Sequence, residues 1–306
     1  MSACLHAFGA YLPERVVGNA ELAERAGCAS EWIESVSGIR ERRWAAPQET
    51  AADMAVAAAE NCLRKAGVSA STLGLLIVSS GSASRGFPGP AAEVATRLGL
   101  DSTPALDLPM ASAGSLFGLA LAMRLAETHG DVLVVAAEKM SALIETAPLD
   151  PNTAILFGDG AGAALVSSRP GRWRMLDAAI HTDGQYRASL AFDGSALRMN
   201  GLTVILQASR KIPASIEEVL GRQKIAPQQV AVFLLHQANL NLLTRVAKSL
   251  AVGPEKVFAN IGRYGNTSSA SMLIAASEWS ETKSEPGPVV FSAFGAGFHW
   301  GALVAE

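Results

Sequence analysis

The feature that most constrains this chain is an alternation of short apolar runs with longer stretches of helical periodicity. Residues 51–66 read as a helix and lead into the apolar run 73–78, and residues 114–128 read as a helix leading into 132–137. Apolar runs without polar alternation suit strands covered on both faces, and their spacing is the βαβ rhythm of an α/β protein. The rhythm returns after about residue 170, with a helix expected at 208–221, a strand at 230–235 and another helix at 239–250.

A glycine-rich segment closes each half. The first is Phe157-Gly158-Asp159-Gly160-Ala161-Gly162, running into an apolar strand; the second is Phe294-Gly295-Ala296-Gly297-Phe298, which does the same. Glycines in such places permit tight backbone approach. The expected organisation is two duplicated α/β halves, residues 1–168 and 169–306. No Ser/Pro-rich linker or low-complexity tract separates them, so they are expected to pack as one body.

The chain has 306 residues, of which 49% are hydrophobic, enough for a sizeable core. A net charge of −3 supplies no overall basic field for nucleic acid or an anionic membrane surface. The longest apolar runs fall far short of the roughly 20 residues of a membrane-spanning helix. Cys4, Cys28 and Cys62 are widely spaced, form no CxxC pair and follow no secretory leader, which reads as reduced thiols in a cytoplasmic protein with no metal site.

Three segments can carry chemistry. In Leu108-Pro109-Met110-Ala111-Ser112-Ala113-Gly114, an extended piece turns through small residues into a helix, which places Ser112 near a helix N-terminus. There it is either a nucleophile helped by free backbone N–H groups or an ordinary N-cap. In Leu234-Leu235-His236-Gln237-Ala238-Asn239, His236 follows a buried strand, where α/β folds commonly bind ligands, although a lone histidine there is often structural. In Tyr264-Gly265-Asn266-Thr267-Ser268, Asn266 is either an oxyanion or enolate donor or a turn residue.

Taken together and in this order, the motifs resemble the β-ketoacyl-acyl carrier protein synthase III family of the thiolase superfamily. The resemblance runs from Tyr11-Leu12-Pro13-Glu14 through Glu31-Trp32-Ile33, Ser37-Gly38-Ile39-Arg40, Phe87-Pro88 and the three segments above to Phe294-Gly295-Ala296-Gly297-Phe298. It implies a five-layered αβαβα thiolase-like fold and a homodimer, with Phe87 reaching toward the partner's acyl pocket. It implies that residue 112 receives the acyl group while His236 and Asn266 hold the malonyl thioester carbonyl during decarboxylation. Backbone N–H groups at 112 and near Gly295 or Ala296 would then form an oxyanion hole, and Trp32 and Asn239 would contact the coenzyme A or phosphopantetheine arm. No permanently bound cofactor is implied.

The chain departs from the family pattern at four places. Ser112 stands where the family has its nucleophilic cysteine, and Val36, Pro151 and Asn241 stand where arginines recognise coenzyme A or the carrier protein. Weaker or different coenzyme A binding is expected, with delivery by a dedicated acyl carrier protein. An alcohol is several pKa units more basic than a thiol, so Ser112 needs a general base, for which His236 is the candidate. The expected activity is acyl transfer or starter-unit condensation in fatty acid or polyketide-type biosynthesis. Malonyl-thioester decarboxylation and a non-catalytic partner role are the alternatives. Glycine and alanine around residues 80–91 suggest a roomy acyl pocket.

Overall fold

The structure is a computed structural model that describes residues 3–84, 87–145, 149–282 and 286–306. Nine strands of the described residues form one mixed sheet: β1 (Cys4–Tyr11), β2 (Leu73–Ser79), β3 (Ala105–Leu108), β4 (Asp131–Lys139), β5 (Asp159–Ser167), β6 (Trp173–Thr182), β7 (Val232–Leu235), β8 (Val289–Gly295) and β9 (His299–Ala305). Their order is β7-β8-β9-β6-β1-β5-β4-β2-β3.

The sheet repeats one pattern twice. β2 runs parallel to β4, which is antiparallel to β5, which is antiparallel to β1. Likewise β7 is parallel to β8, β8 antiparallel to β9 and β9 antiparallel to β6. Even the β2–β3 pairing has its counterpart, a parallel bridge between Phe233 and Val257. The two patterns meet where β1 and β6 share the pairs Cys4–Arg174 and Leu5–Trp173.

Six helices complete the layers: α1 (Ala51–Ala66), α2 (Pro90–Arg97), α3 (Gly114–His129), α4 (Gly201–Gln223), α5 (Leu240–Ser249) and α6 (Ser271–Ser280). α1 and α2 cover the outer face of the first strand set, α4 and α5 the outer face of the second, and α3 and α6 lie between the two. This is the expected five-layered arrangement.

The middle helices explain themselves chemically. α6 is buried from Ser271 to Ser277 and again at Trp279, and it has no polar face because both sides meet sheet. It also lies so close to β5 that a Cβ on Gly162 would stand 2.5 Å from Leu273 Cβ. Glycine there is a packing requirement.

Element ends differ from expectation where side chains fix them. α4 begins at Gly201 instead of residue 208 because Asn200 accepts a hydrogen bond from the Thr203 N–H at 3.1 Å and caps the helix earlier. All three cysteines are free, and burial pushes the Cys62 thiol up to about 12, which leaves it unreactive. Among the described residues, no helix is long and apolar enough to cross a membrane.

Candidate active site

Ser112 lies between β3 and α3 with φ of 61°, in the left-handed region. A non-glycine residue rarely adopts it, at a cost of roughly 1–2 kcal/mol, so the surroundings must enforce it. The Ala113 N–H closes the turn onto the Ala111 carbonyl at 2.7 Å. Gly295, at the end of β8, presses against the turn from outside, where a Cβ would stand 2.4 Å from the Ala111 oxygen and 2.8 Å from Ser112 Cβ. The cap position of α3 falls on Ala113, so Ser112 is not the helix N-cap.

His236 directly follows β7, and its N–H donates to the Ser292 carbonyl of β8 at 2.8 Å. Its Nδ1 lies 2.6 Å from Ser271 Oγ, and that same oxygen accepts the Gln237 N–H at 3.0 Å. A hydroxyl that already accepts from Gln237 has one proton to give, and we assign it to Nδ1, which leaves the imidazole proton on Nε2. Burial pushes the His236 pKa down to about 4, with a Ser268 backbone hydrogen bond opposing it, so the ring is neutral at physiological pH. In this tautomer Nε2 is a donor, whereas the base role expected for Ser112 activation requires an acceptor.

Asn266 is held by its backbone to the neighbouring Leu156 to Gly158 segment. Its N–H donates to the Leu156 carbonyl at 2.8 Å, and its carbonyl accepts from the Gly158 N–H at 3.1 Å. Its Oδ1 accepts the Ser268 N–H at 2.9 Å, which orients the amide so that Nδ2 carries the free protons. Ser268, itself left-handed with φ of 47°, ties the three groups together. Its Oγ accepts the Ser112 N–H at 2.9 Å, its N–H fixes Asn266, and its backbone bonds His236. The residue-112 N–H expected in the oxyanion hole is therefore engaged in this state.

Ser112, His236 and Asn266, each 6% exposed, line one cavity of about 780 Å³ of empty space, its mouth included. Leu156, Phe157 and Phe294 complete the wall around them, and Met199, Gly201, Ala238 and Asn239 line it as well.

The other expected binding residues are placed differently. Asn239 lines the cavity, yet its Oδ1 caps α5 through the Asn241 and Leu242 N–H groups and its Nδ2 donates to the Val36 carbonyl. Asn241 donates to the same carbonyl at 3.1 Å. Both asparagines thus tether the Ser30–Ser37 helix. Trp32, on that helix, is 38% exposed and does not line the cavity. Phe87 is 94% exposed and is also absent from the cavity wall. Gly295 backs the Ser112 turn, and Ala296 follows it, half-buried, between β8 and β9.

Two buried carboxyl groups brace the site from behind. Glu138, at the end of β4, accepts from Ser82 Oγ and Ser269 Oγ at 2.6 Å each and from the Gly81 N–H at 3.0 Å, tying the loop after β2 to the Asn266 segment. Burial raises its pKa, and the serine hydroxyls work against that rise. Asp159 accepts from the Ala45 and Ser141 N–H groups and from Ser141 Oγ, and burial pushes its pKa up to about 6. Sequence reasoning missed Glu138, Ser268 and Ser271; the one available signal was a charge at the end of a wholly apolar run.

Comparison with known proteins extends this geometry to a family. Residues 106–184 match the model described as 3-oxoacyl-[acyl-carrier-protein (ACP)] synthase III, and residues 220–306 match that of its C terminal. The chain is 38% identical over 313 residues to the beta-ketoacyl-[acyl-carrier-protein] synthase III of Pectobacterium atrosepticum, covering 97% of both chains. The chain belongs to the 3-oxoacyl-[acyl-carrier-protein] synthase III family. Among solved members, the synthase III of Aquifex aeolicus VF5 superposes with a TM-score of 0.94 at 32% identity, over 99% of each chain. The priming beta-ketosynthase of the R1128 polyketide biosynthetic pathway gives 0.92 at 32% identity, covering 99% of this chain and 95% of its own. The family's thiolase-like fold is thus the fold described above.

Proposed function

We propose that the chain is a ketosynthase III-type condensing acyltransferase that uses acyl and malonyl thioesters in fatty acid or polyketide-type biosynthesis, with Ser112 as the acyl acceptor. One observation carries the reading: Ser112, His236 and Asn266 line the same largely apolar cavity. Residues 1–168 supply the acceptor and residues 169–306 the two donors.

The donors suit decarboxylation. A malonyl thioester whose carbonyl oxygen receives His236 Nε2–H and Asn266 Nδ2–H loses carbon dioxide, and the electron pair left behind becomes an enolate held by the same two groups. Neutral His236 is the right form, because its proton stays on the ring throughout. The enolate carbon attacks the acyl carbonyl on Ser112, the carbon–carbon bond forms, and Ser112 Oγ departs as an alkoxide that takes a proton from solvent.

Acyl loading is the harder step. Ser112 Oγ attacks the incoming thioester, its proton ends on the departing thiol sulfur, and the Ser112 N–H must leave Ser268 to hold the oxyanion. In the tautomer assigned above His236 cannot take this proton, so loading is the expected slow step.

Substrate arrives on a phosphopantetheine arm, and no resident cofactor is required. With Val36, Pro151 and Asn241 in place of cations, delivery by an acyl carrier protein is favoured over coenzyme A. A homodimer is supported by β3, whose outer edge pairs with no strand among the described residues and whose Leu106 is exposed, together with exposed Phe87.

The test is incubation with acyl and malonyl thioesters on both carriers, followed by mass analysis. A 3-oxoacyl product is expected, with Ser112→Ala losing product while still releasing carbon dioxide. Neither product nor carbon dioxide from either carrier across an acyl panel would overturn the reading.

A further inference from the structure

We infer that His299 is a positioning residue for acyl loading: its imidazole stands between the Gly295–Gly297 loop and the first turn of α3 and sets the spacing of the two backbone N–H groups that form the oxyanion hole. The inference rests on the acyl-acceptor reading of Ser112 above and adds to it a residue outside the catalytic cavity.

The spacing needs a cause because the two donors come from different elements. One is the Ser112 N–H, in the turn between β3 and α3; the other is that of Gly295 or Ala296, between β8 and β9. A donor acts only within about 3 Å of the place where charge develops, and a misplacement of about 1 Å costs on the order of 10²-fold in rate. Some side chain must therefore fix one element against the other.

His299 touches both. It pairs with Gly295 in the β8–β9 ladder and with Thr182 in the β9–β6 ladder. Directly opposed residues of antiparallel strands project to the same face, and on that face Gly295 meets Ala111 and Ser112. The ring accordingly packs edge-on against Phe117 of α3, with centroids 5.6 Å apart. Phe117 belongs to the turn that Ser112 leads into, since its N–H donates to the Ala113 carbonyl at 3.1 Å. The same ring lies against Gly297, where a Cβ would stand 2.3 Å from His299 Cδ2 and 2.4 Å from Nε2.

The ring is itself held in place. Its Nδ1 and Thr182 Oγ1 are 2.8 Å apart, and burial lowers its pKa, so it is neutral at physiological pH and brings no charge beside the hole. Its neighbours Phe298 and Trp300 project to the opposite face, where they stack on Tyr186 and His181, which leaves His299 to face α3. Malonyl decarboxylation draws on a different set of supports. His236 and Asn266 are fixed by hydrogen bonds to Ser271, Ser292, Ser268 and Leu156, none of which involves His299.

The test reads the two half-reactions separately in the full-length protein. Loading is followed by rapid quench and intact mass over a range of acyl thioester concentrations, and decarboxylation by carbon dioxide release from malonyl thioester alone. His299→Ala should lower the saturating loading rate about 10- to 100-fold, while the half-saturating concentration and the decarboxylation rate each move less than about three-fold. His299→Phe, which keeps a ring against Phe117 and Gly297, should recover most of the lost rate. Wild-type loading in His299→Ala, or an equal loss in both variants, would overturn the inference. So would loading and decarboxylation falling together, which marks a side chain that only supports the fold. Should His299→Ala fail to fold, Thr182→Val removes the hydrogen bond while keeping the shape. It is expected to slow loading about three- to ten-fold, and wild-type loading there would be the refutation. A wild-type protein that never forms an acyl-enzyme would instead refute the acceptor reading beneath.

Discussion

Ser271→Ala separates a donor histidine from a merely buried one. Ser271 Oγ serves two partners, His236 Nδ1 at 2.6 Å and the Gln237 N–H at 3.0 Å, in a site where all three residues are buried. Removing it leaves two buried polar groups unpaired, each at about 1–3 kcal/mol, so a loss of about 2–6 kcal/mol in stability is expected. At this chain length, with an unfolding entropy of about 0.6 kcal/mol/K, that lowers Tm by about 3–9 °C. The ring also loses the hydroxyl that keeps its proton on Nε2. Loss of one preorganised donor costs about 10²–10³ in rate, and Ser271→Ala, which misplaces the donor without deleting it, should slow malonyl-thioester decarboxylation by about 10- to 100-fold. The assay is carbon dioxide release at saturating substrate below the variant's Tm, read beside ¹⁵N NMR of the ring. A lowered Tm with wild-type decarboxylation would show that Ser271 only packs, and the donor assignment would fall.

Other outcomes follow from the same geometry. His236 is neutral in the fold at about 4 and takes up a proton near 6.5 when unfolded, so its contribution to stability is lost as pH falls from 6.5 toward 4, by about 3 kcal/mol at the end. Thermal unfolding of wild type and His236→Ala across that window should show the steeper loss on acidification in wild type. Asp159 acts in the opposite sense, because its folded value near 6 makes the fold bind a proton there that the unfolded chain does not, so Asp159→Asn should lose stability more steeply on acidification. Gly295→Ala drives a methyl into the Ala111 to Ala113 turn and should abolish Ser112 acylation while costing about 1–3 kcal/mol by chemical denaturation. Ser112→Cys supplies a nucleophile that ionises near the helix start and should raise the loading rate at least about ten-fold in a rapid-quench assay, increasingly with pH.

The sequence made the layers legible because strand burial leaves an unmistakable mark. β4, apolar from Val132 to Ala137, and β5, with its glycines under α6, could be read directly because both faces are covered. α1 matched to the residue, since Thr50 and Asp53 form a reciprocal capping box and Gly67 ends the helix left-handed. The site was legible as three separate motifs that the family likeness assembled. What stayed hidden depended on contacts far apart in sequence. Ser268 bonds a residue 156 positions away, and Ser271 one 35 positions away, and a serine in a small-residue segment carries no local sign of its partner. Asn239 is the reverse case: its place between a strand and a helix marks a cap, which is the role its Oδ1 fills.

The most direct measurement is the intact mass of the protein after exposure to an acyl thioester, with the modified residue located by peptide fragmentation. The account predicts one acyl group per chain, on Ser112, lost in Ser112→Ala and discharged when malonyl thioester is added. A protein that forms 3-oxoacyl product with Ser112 unmodified at every time point would contradict it.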